Sequence, residues 1–235
     1  MLNYLDTGLV SGLNNVGSGG VVGTWTKNNT VLETQAATVY YKAEDTSDSI
    51  GSNTLTNNGS VGFASALNNN GFVFDGSAKY MSASNADAFK FRTNDFTIRI
   101  PIKFNTRKTY NDAIVFNDYT DGFLYQYTYN NPTFRHEFYI NGTNINVDEV
   151  LGVDDFNQIV ISRISGVVYI YNNGVLKGSG ALAGDINPAS GDLRIGSGNL
   201  VAGAEINGLM DEIGIWNGYG ATQEYVTALQ DAFLV

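Results

Sequence analysis

Asn207-Gly208-Leu209-Met210-Asp211-Glu212-Ile213-Gly214-Ile215-Trp216-Asn217 is the stretch on which the reading of this chain turns. Bulky apolar residues at Leu209, Ile213 and Ile215 predict a strand that opens on one Asn-Gly pair and ends at another. Two carboxylates, Asp211 and Glu212, stand side by side in its middle. Neighbouring strand residues point to opposite faces, so one of the two is expected to meet a partner and the other solvent. Residues 222–233 follow, with Tyr225, Val226, Leu229, Ala232 and Phe233 on one helical stripe. This is the one convincing helix pattern in the sequence.

Working outward, strand patterns recur from Val39 onward. Phe96, Ile98, Ile100, Ile102 and Phe104 alternate with Asp95, Thr97, Arg99 and Lys103, which predicts a half-buried antiparallel strand. Pro101 falls on its polar phase and cannot donate a ladder hydrogen bond, so an edge position or a bulge is expected there. Residues 156–164 turn at Ser165-Gly166 into 167–171, and Asn173-Gly174 reverses the chain again. Asn-Gly occurs at Asn58, Asn70, Asn141, Asn173, Asn207 and Asn217, and each pair predicts a type I′ hairpin. So many hairpins and a single helix predict an all-β, two-sheet antiparallel sandwich.

Composition narrows the function classes. The chain has 235 residues, 27 of them Gly and 3 Pro, and 43% hydrophobic content is ample for a core. Thirteen Lys and Arg against 23 Asp and Glu give a net charge of −10, and no basic residue follows Arg194. Such a balance argues against a phosphate-binding surface, hence against nucleic acid as a partner. The lack of cysteine excludes disulfides, thiolate metal sites and thiol nucleophiles. No apolar run is long enough for a membrane span, and the first residues carry no secretory-signal pattern. Residues 1–35 differ from the rest: Gly12, Gly17, Gly19, Gly20 and Gly23 interrupt short apolar pieces, and the stretch cannot bury a core of its own. We read it as a leader or docking segment, with the folded domain at residues 36–235.

Several motifs carry a resemblance. Tyr40-Tyr41-Lys42-Ala43-Glu44-Asp45, Asp48-Ser49-Ile50-Gly51, Gly71-Phe72-Val73-Phe74-Asp75-Gly76 and Tyr169-Ile170-Tyr171-Asn172-Asn173-Gly174 precede the 207–217 strand in order. This order resembles laminin-G-like, concanavalin-A-like domains, which implies a jelly roll with the C-terminal helix packed outside. Many such domains hold Ca²⁺ at the rim. The resemblance places candidate ligands at Asp48 and Asp211, with Asp45 as a helper, and hard oxygen donors suit that ion. The alternative is that Asp48 makes an Asx-turn and Asp211 accepts backbone N–H bonds.

Catalysis is poorly supported. The only histidine, His136, reads as a strand residue, and Asp148-Glu149, Asp154-Asp155 and Asp211-Glu212 are adjacent pairs that diverge on a strand. A retaining glycosidase needs two carboxyl groups about 5 Å apart on one side. The aromatic stripe Phe123, Tyr125, Tyr127, Tyr129 is the stronger candidate, because i, i+2 spacing puts all four rings on one strand face. Core packing is the commoner fate of such a stripe, yet each buried phenol needs a partner, so Tyr125, Tyr127 and Tyr129 are candidates for a ligand-binding face. Two non-enzymatic functions follow as expectations. In the first, the chain is a structural or adhesive virion protein of a phage, attached through residues 1–35 within an oligomeric assembly. In the second, it is a glycan-binding module of a secreted or surface protein.

Overall fold

The computed structural model describes residues 23–27, 30–34, 37–130, 132–198 and 203–231. In the stretch read as a leader, β1 (Gly23–Lys27) and β2 (Thr30–Thr34) form a two-stranded antiparallel ribbon; residues 1–22 lie outside the described residues. The remaining strands form two antiparallel sheets, as expected from the sequence. In chain order they are β3 (Val39–Tyr41), β4 (Thr56–Asn58), β5 (Gly62–Ser65), β6 (Asn70–Asp75), β7 (Tyr80–Ala83) and β8 (Phe96–Thr106). There follow β9 (Asp112–Phe116), β10 (Phe123–Asn130), β11 (Thr133–Ile140), β12 (Thr143–Asp148), β13 (Phe156–Ile164) and β14 (Val167–Asn172). The last are β15 (Val175–Ala181), β16 (Leu193–Ile195), β17 (Asn207–Met210), β18 (Ile213–Asn217) and the helix α1 (Gln223–Asp231). One sheet has seven strands in the order β12-β11-β10-β9-β16-β7-β4. The other has nine: β15-β14-β13-β8-β17-β6-β5, with β18 and β3 continuing from β8.

The core lies between the sheets and is built by period-two alternation. Phe96, Ile98, Ile100, Ile102 and Phe104 of β8 face Phe123, Tyr125, Tyr127 and Phe138 of the opposite sheet. Phe91 stacks between Phe96, at 4.4 Å, and Phe123, at 5.2 Å. At one edge the sheets close on each other because β15 carries Gly178 and Gly180. A Cβ on either would meet Val147 at 2.7 Å or Ile145 at 2.4 Å, both from β12 of the facing sheet.

The polar phase of β8 differs from expectation. Thr97 and Arg99 are fully buried, because the outer face of the nine-stranded sheet is itself covered. Tyr225, Val226 and Leu229 of α1 pack on Val160 and Tyr171, and Ala37, Tyr40 and Trp216 form a second apolar cover. β8 is central rather than an edge, flanked by β13 on one side and by β17 and β18 on the other. Pro101 marks a bulge, as one of the two expectations had it. The pairing breaks between Met210↔Ile102 and Gly214↔Arg99, so residues 211–213 stand opposite only 100–101. Glu212 takes the left-handed φ of 50° that accommodates the extra residue. The 207–217 stretch is therefore two strands broken at its carboxylates, and neither carboxylate faces solvent.

Two of the six Asn-Gly pairs make the expected hairpins: Asn141-Gly142 joins β11 to β12, and Asn173-Gly174 joins β14 to β15. Both residues of each pair have positive φ. Ser165-Gly166 does the same between β13 and β14. Asn70-Gly71 and Asn207-Gly208 instead lie inside strands, where pairing across the sheet overrides the local turn preference. Asn58-Gly59 leads from one sheet to the other, and Asn217-Gly218 ends β18.

Candidate functional site

The face of the seven-stranded sheet turned away from the core is the candidate site. The described helix lies on the other sheet, yet the middle of this face is itself buried at Asp112, Val115, Leu124 and Thr128, and its open positions are Thr56, Ser82, Arg194, Tyr139 and Asn144. Strand pairing sets seven outward side chains in one row across all seven strands. Thr56 pairs with Ser82, Ser82 with Arg194, Arg194 with Val115, Val115 with Leu124, Leu124 with Tyr139, and Tyr139 with Asn144. Arg194 and Tyr139 are three strand spacings apart, about 14 Å, which is longer than one sugar ring. Val115 and Leu124 form a shielded apolar centre, and polar groups at either end remain partly open.

A second row runs beside it. Asn146 pairs with Glu137, Glu137 with Gln126, and Gln126 with Asp112. A bulge between Tyr125 and Gln126 in the β10–β9 pairing brings Asp112 onto this face. Gln126 Nε2 donates to Glu137 Oε2 at 2.6 Å, and Tyr139 Oη donates to the same oxygen at 3.1 Å. Burial, then the neighbouring Glu137 charge, pushes the Tyr139 phenol up to about 12. Tyr119, which is exposed, meets the Tyr139 ring edge-on at 5.7 Å. Asp112 is 1% exposed and neither of its carboxylate oxygens has a hydrogen bond; burial raises its pKa to about 7, and the nearby Glu205 charge adds to the rise. Thr128 Oγ1, next along β10, is also buried without a partner. The face thus sets partly open aromatic and polar groups, at Arg194, Tyr139 and Asn144, around a buried middle, a combination that suits a polar, ring-shaped ligand.

The residues singled out in the sequence fall elsewhere. Tyr125 and Tyr127 are 1% and 0% exposed and belong to the core, so they form no ligand platform; Tyr129, at 37%, sits at the end of the stripe. Their phenols do have the partners that burial demands. Tyr125 Oη and His136 Nδ1 are 2.8 Å apart; Tyr127 Oη donates to the Glu149 carbonyl at 2.9 Å and accepts from Leu151 N–H at 2.8 Å. His136 is itself buried, with Nε2 on Glu149 Oε2 at 2.8 Å. Glu149 also accepts from Lys177 at 2.9 Å and Asn172 at 3.1 Å. Burial would raise the Glu149 pKa, but bonds from His136, Lys177 and Asn172 outweigh it and hold it at about 2. This network ties one sheet to the other and leaves the histidine no free nitrogen.

The calcium pair does not assemble. Asp48 Oδ1 accepts from Tyr40 and Ile50 N–H, both at 3.1 Å, and Oδ2 from Asn53 N–H and Nδ2, at 3.2 and 3.0 Å, so its oxygens are spent on its own loop. Asp45 accepts from Ser47 N–H in another turn. Asp211 Oδ2 accepts from Asn68 N–H at 2.8 Å, while Oδ1 is buried and unpartnered. Burial lifts the Asp211 pKa to about 7, against the Asn68 bond and with help from the Glu212 charge. Among the described residues, no three His, Asp or Glu side chains are arranged to hold a metal ion. The donor set therefore does not fit Ca²⁺ at Asp48 and Asp211.

Arg194, Tyr80, Gln126, Glu137, Tyr139 and Asn144 were not singled out by sequence reasoning. Their signal was the set of positions alternating with the core stripe: Leu124, Gln126 and Thr128 lie between the aromatics of β10 and must face the other way.

Comparison with known proteins agrees with this architecture. Domain 4 of AbnA, an extracellular arabinanase from Geobacillus stearothermophilus solved with arabinotriose, superposes with a TM-score of 0.65 at 19% identity, covering 83% of this chain and 98% of that one. The binding domain of Paraclostridial Mosquitocidal Protein 1 gives 0.68 at 13% identity over 84% of this chain, and that of botulinum neurotoxin serotype G gives 0.63 at 15% over 83%. The chain spans about half of each toxin domain, at 52% and 50%. At these identities the likeness shows the fold. Comparison with curated proteins gives no match at the sequence level. No described helix is long and apolar enough to cross a membrane. The sequence itself matches the family described as the concanavalin A-like lectin/glucanases superfamily (Laminin_G_3) over residues 75–224, and the chain belongs to that superfamily.

Proposed function

We infer that this protein is a carbohydrate-binding module that takes an oligosaccharide across the strands of the seven-stranded sheet. The observation that carries it is the row of side chains on that face, with Ser82, Arg194, Tyr139 and Asn144 partly open on either side of buried Val115 and Leu124. Sugars present hydroxyls that donate and accept together with flat C–H faces, and the open positions of the row offer donors, acceptors and aromatic edges. A fold neighbour was solved with a bound arabinotriose, which supports the ligand class without fixing the site. The reading places the molecule outside cells or on a surface, where such ligands are found. The virion reading rests in part on docking through residues 1–35, of which 1–22 lie outside the described residues, and no described feature favours it. Titration calorimetry against a panel of neutral and acidic oligosaccharides tests the function. Binding in the micromolar to millimolar range, weakened at least tenfold by Tyr139→Ala with an unchanged melting temperature, is the expected result. Undiminished binding in Tyr139→Ala would move the site off this face.

A further inference from the structure

Arg194 stands apart from the other strand arginines. Arg163 donates to the carbonyls of Asn94, Gly184 and Arg92, Arg99 to Tyr40 Oη and the Glu212 carbonyl, and Arg135 lies 3.4 Å from Asp148. Arg194 makes no hydrogen bond and no ion pair among the described residues. Its guanidinium is held by stacking on the Tyr80 ring at 4.9 Å, on the same outer face. Its row neighbours are Ser82 and Thr56 on one side and Val115 and Leu124 on the other, all uncharged. A half-buried cation in a chain of net charge −10 thus keeps five N–H donors free and no carboxylate in its row.

We propose that Arg194 selects for a sugar that carries a carboxylate. This rests on the glycan-binding reading and gives it a substrate class. A guanidinium offers two parallel N–H donors that match the two oxygens of a carboxylate, whereas a hydroxyl engages them singly. The Tyr80 ring fixes the plane of the fork before binding, so less rotamer freedom is lost on pairing. The net negative charge of the protein and the Glu137 side chain in the second row oppose a polyanion. The fitting ligand is an otherwise neutral oligosaccharide with one acidic residue seated at Arg194. A uronate and a sialate share that chemistry.

Two matched pairs test it by calorimetry: a xylo-oligosaccharide with and without a single glucuronate branch, and lactose with and without a terminal sialate. The acidic member of at least one pair should bind about tenfold or more tighter in low salt, and which pair does so identifies the source. The preference should shrink as salt is raised, fall to one or below in Arg194→Gln, and be only partly kept in Arg194→Lys, which retains charge without the fork. Equal binding of both members, or a preference that survives Arg194→Gln, overturns the assignment while leaving the glycan site standing. Failure of every member of both pairs to bind counts against the glycan reading itself. Should Arg194→Gln melt early, Tyr80→Leu removes the supporting ring, and the acidic preference must drop there too.

Discussion

Asp211 and Glu212 are chemically similar neighbours with opposite tasks. Glu212 accepts hydrogen bonds from Tyr40 Oη and from Asn68 Nδ2, the latter at 2.8 Å, and its charge faces buried Arg99. Asp211 has one oxygen on Asn68 N–H and one unpartnered, in surroundings that favour its protonated form. Asp211→Asn imitates that form and should change the melting temperature little at neutral pH. Glu212→Gln removes the carboxylate whose charge faces buried Arg99 and should cost about 3 kcal/mol. Thermal unfolding of the two variants checks this order, and equal shifts would overturn it. Sequence alone located the pair and the need for a partner. It missed that both are buried, because alternation assumes an unbroken strand and the bulge at Glu212 voids that assumption.

At the level of elements, the narrow contact between β12 and β15 depends on two residues without side chains. Gly180→Val would drive a branched side chain into Ile145 and pry the edge strands apart. We expect a loss of about 1–3 kcal/mol, read from a denaturant midpoint; Ala181→Val, one residue on at an exposed position of β15, should be near neutral by comparison. Element type was legible where periodicity was long: β8, the β13–β14 hairpin and α1 lie close to where the sequence puts them. Turn chemistry was legible only in part. Asn-Gly permits a hairpin but does not compel one, and at Asn70 and Asn207 the flanking strand pairing decided the outcome.

Across the whole molecule, stability should depend on pH in two opposed ways. Asp112 and Asp211 have pKa values raised to about 7, so between about pH 4 and pH 7 the folded state keeps protons that the unfolded chain has released. Stability from these groups is full below about pH 4 and is lost as pH rises through 7, at no more than about 1.4 kcal/mol per pH unit each. Glu149, held at about 2, acts in reverse: its contribution is present above about pH 4.5 and lost as pH falls towards 2. A melting-temperature profile should therefore peak in mildly acid solution, and Asp112→Asn with Asp211→Asn together should flatten its alkaline limb. A limb that persists in the double variant would show that other groups set it. At this scale the two-sheet architecture was legible from alternation and hairpin count, but the side on which the site lies was not. Rings are easier to notice than gaps between rings, so Tyr125 and Tyr127 drew attention to the inner face. Gln126, with Tyr139 opposite Leu124, marks the outer one.

The short strand β3 pairs only with β18, with Val39 opposite Ile215 and Tyr41 opposite Ile213. The backbone therefore enters this pair at residue 39 and leaves it at residue 217 from the same end. Tension applied along the chain through those two points would load the bonds between them one after another, as a zip opens, instead of all together in shear. A module pulled through those two points would yield first at this seam. One tethered on a single side would bear a pull on its bound glycan through the seven-stranded sheet and leave the seam unstressed.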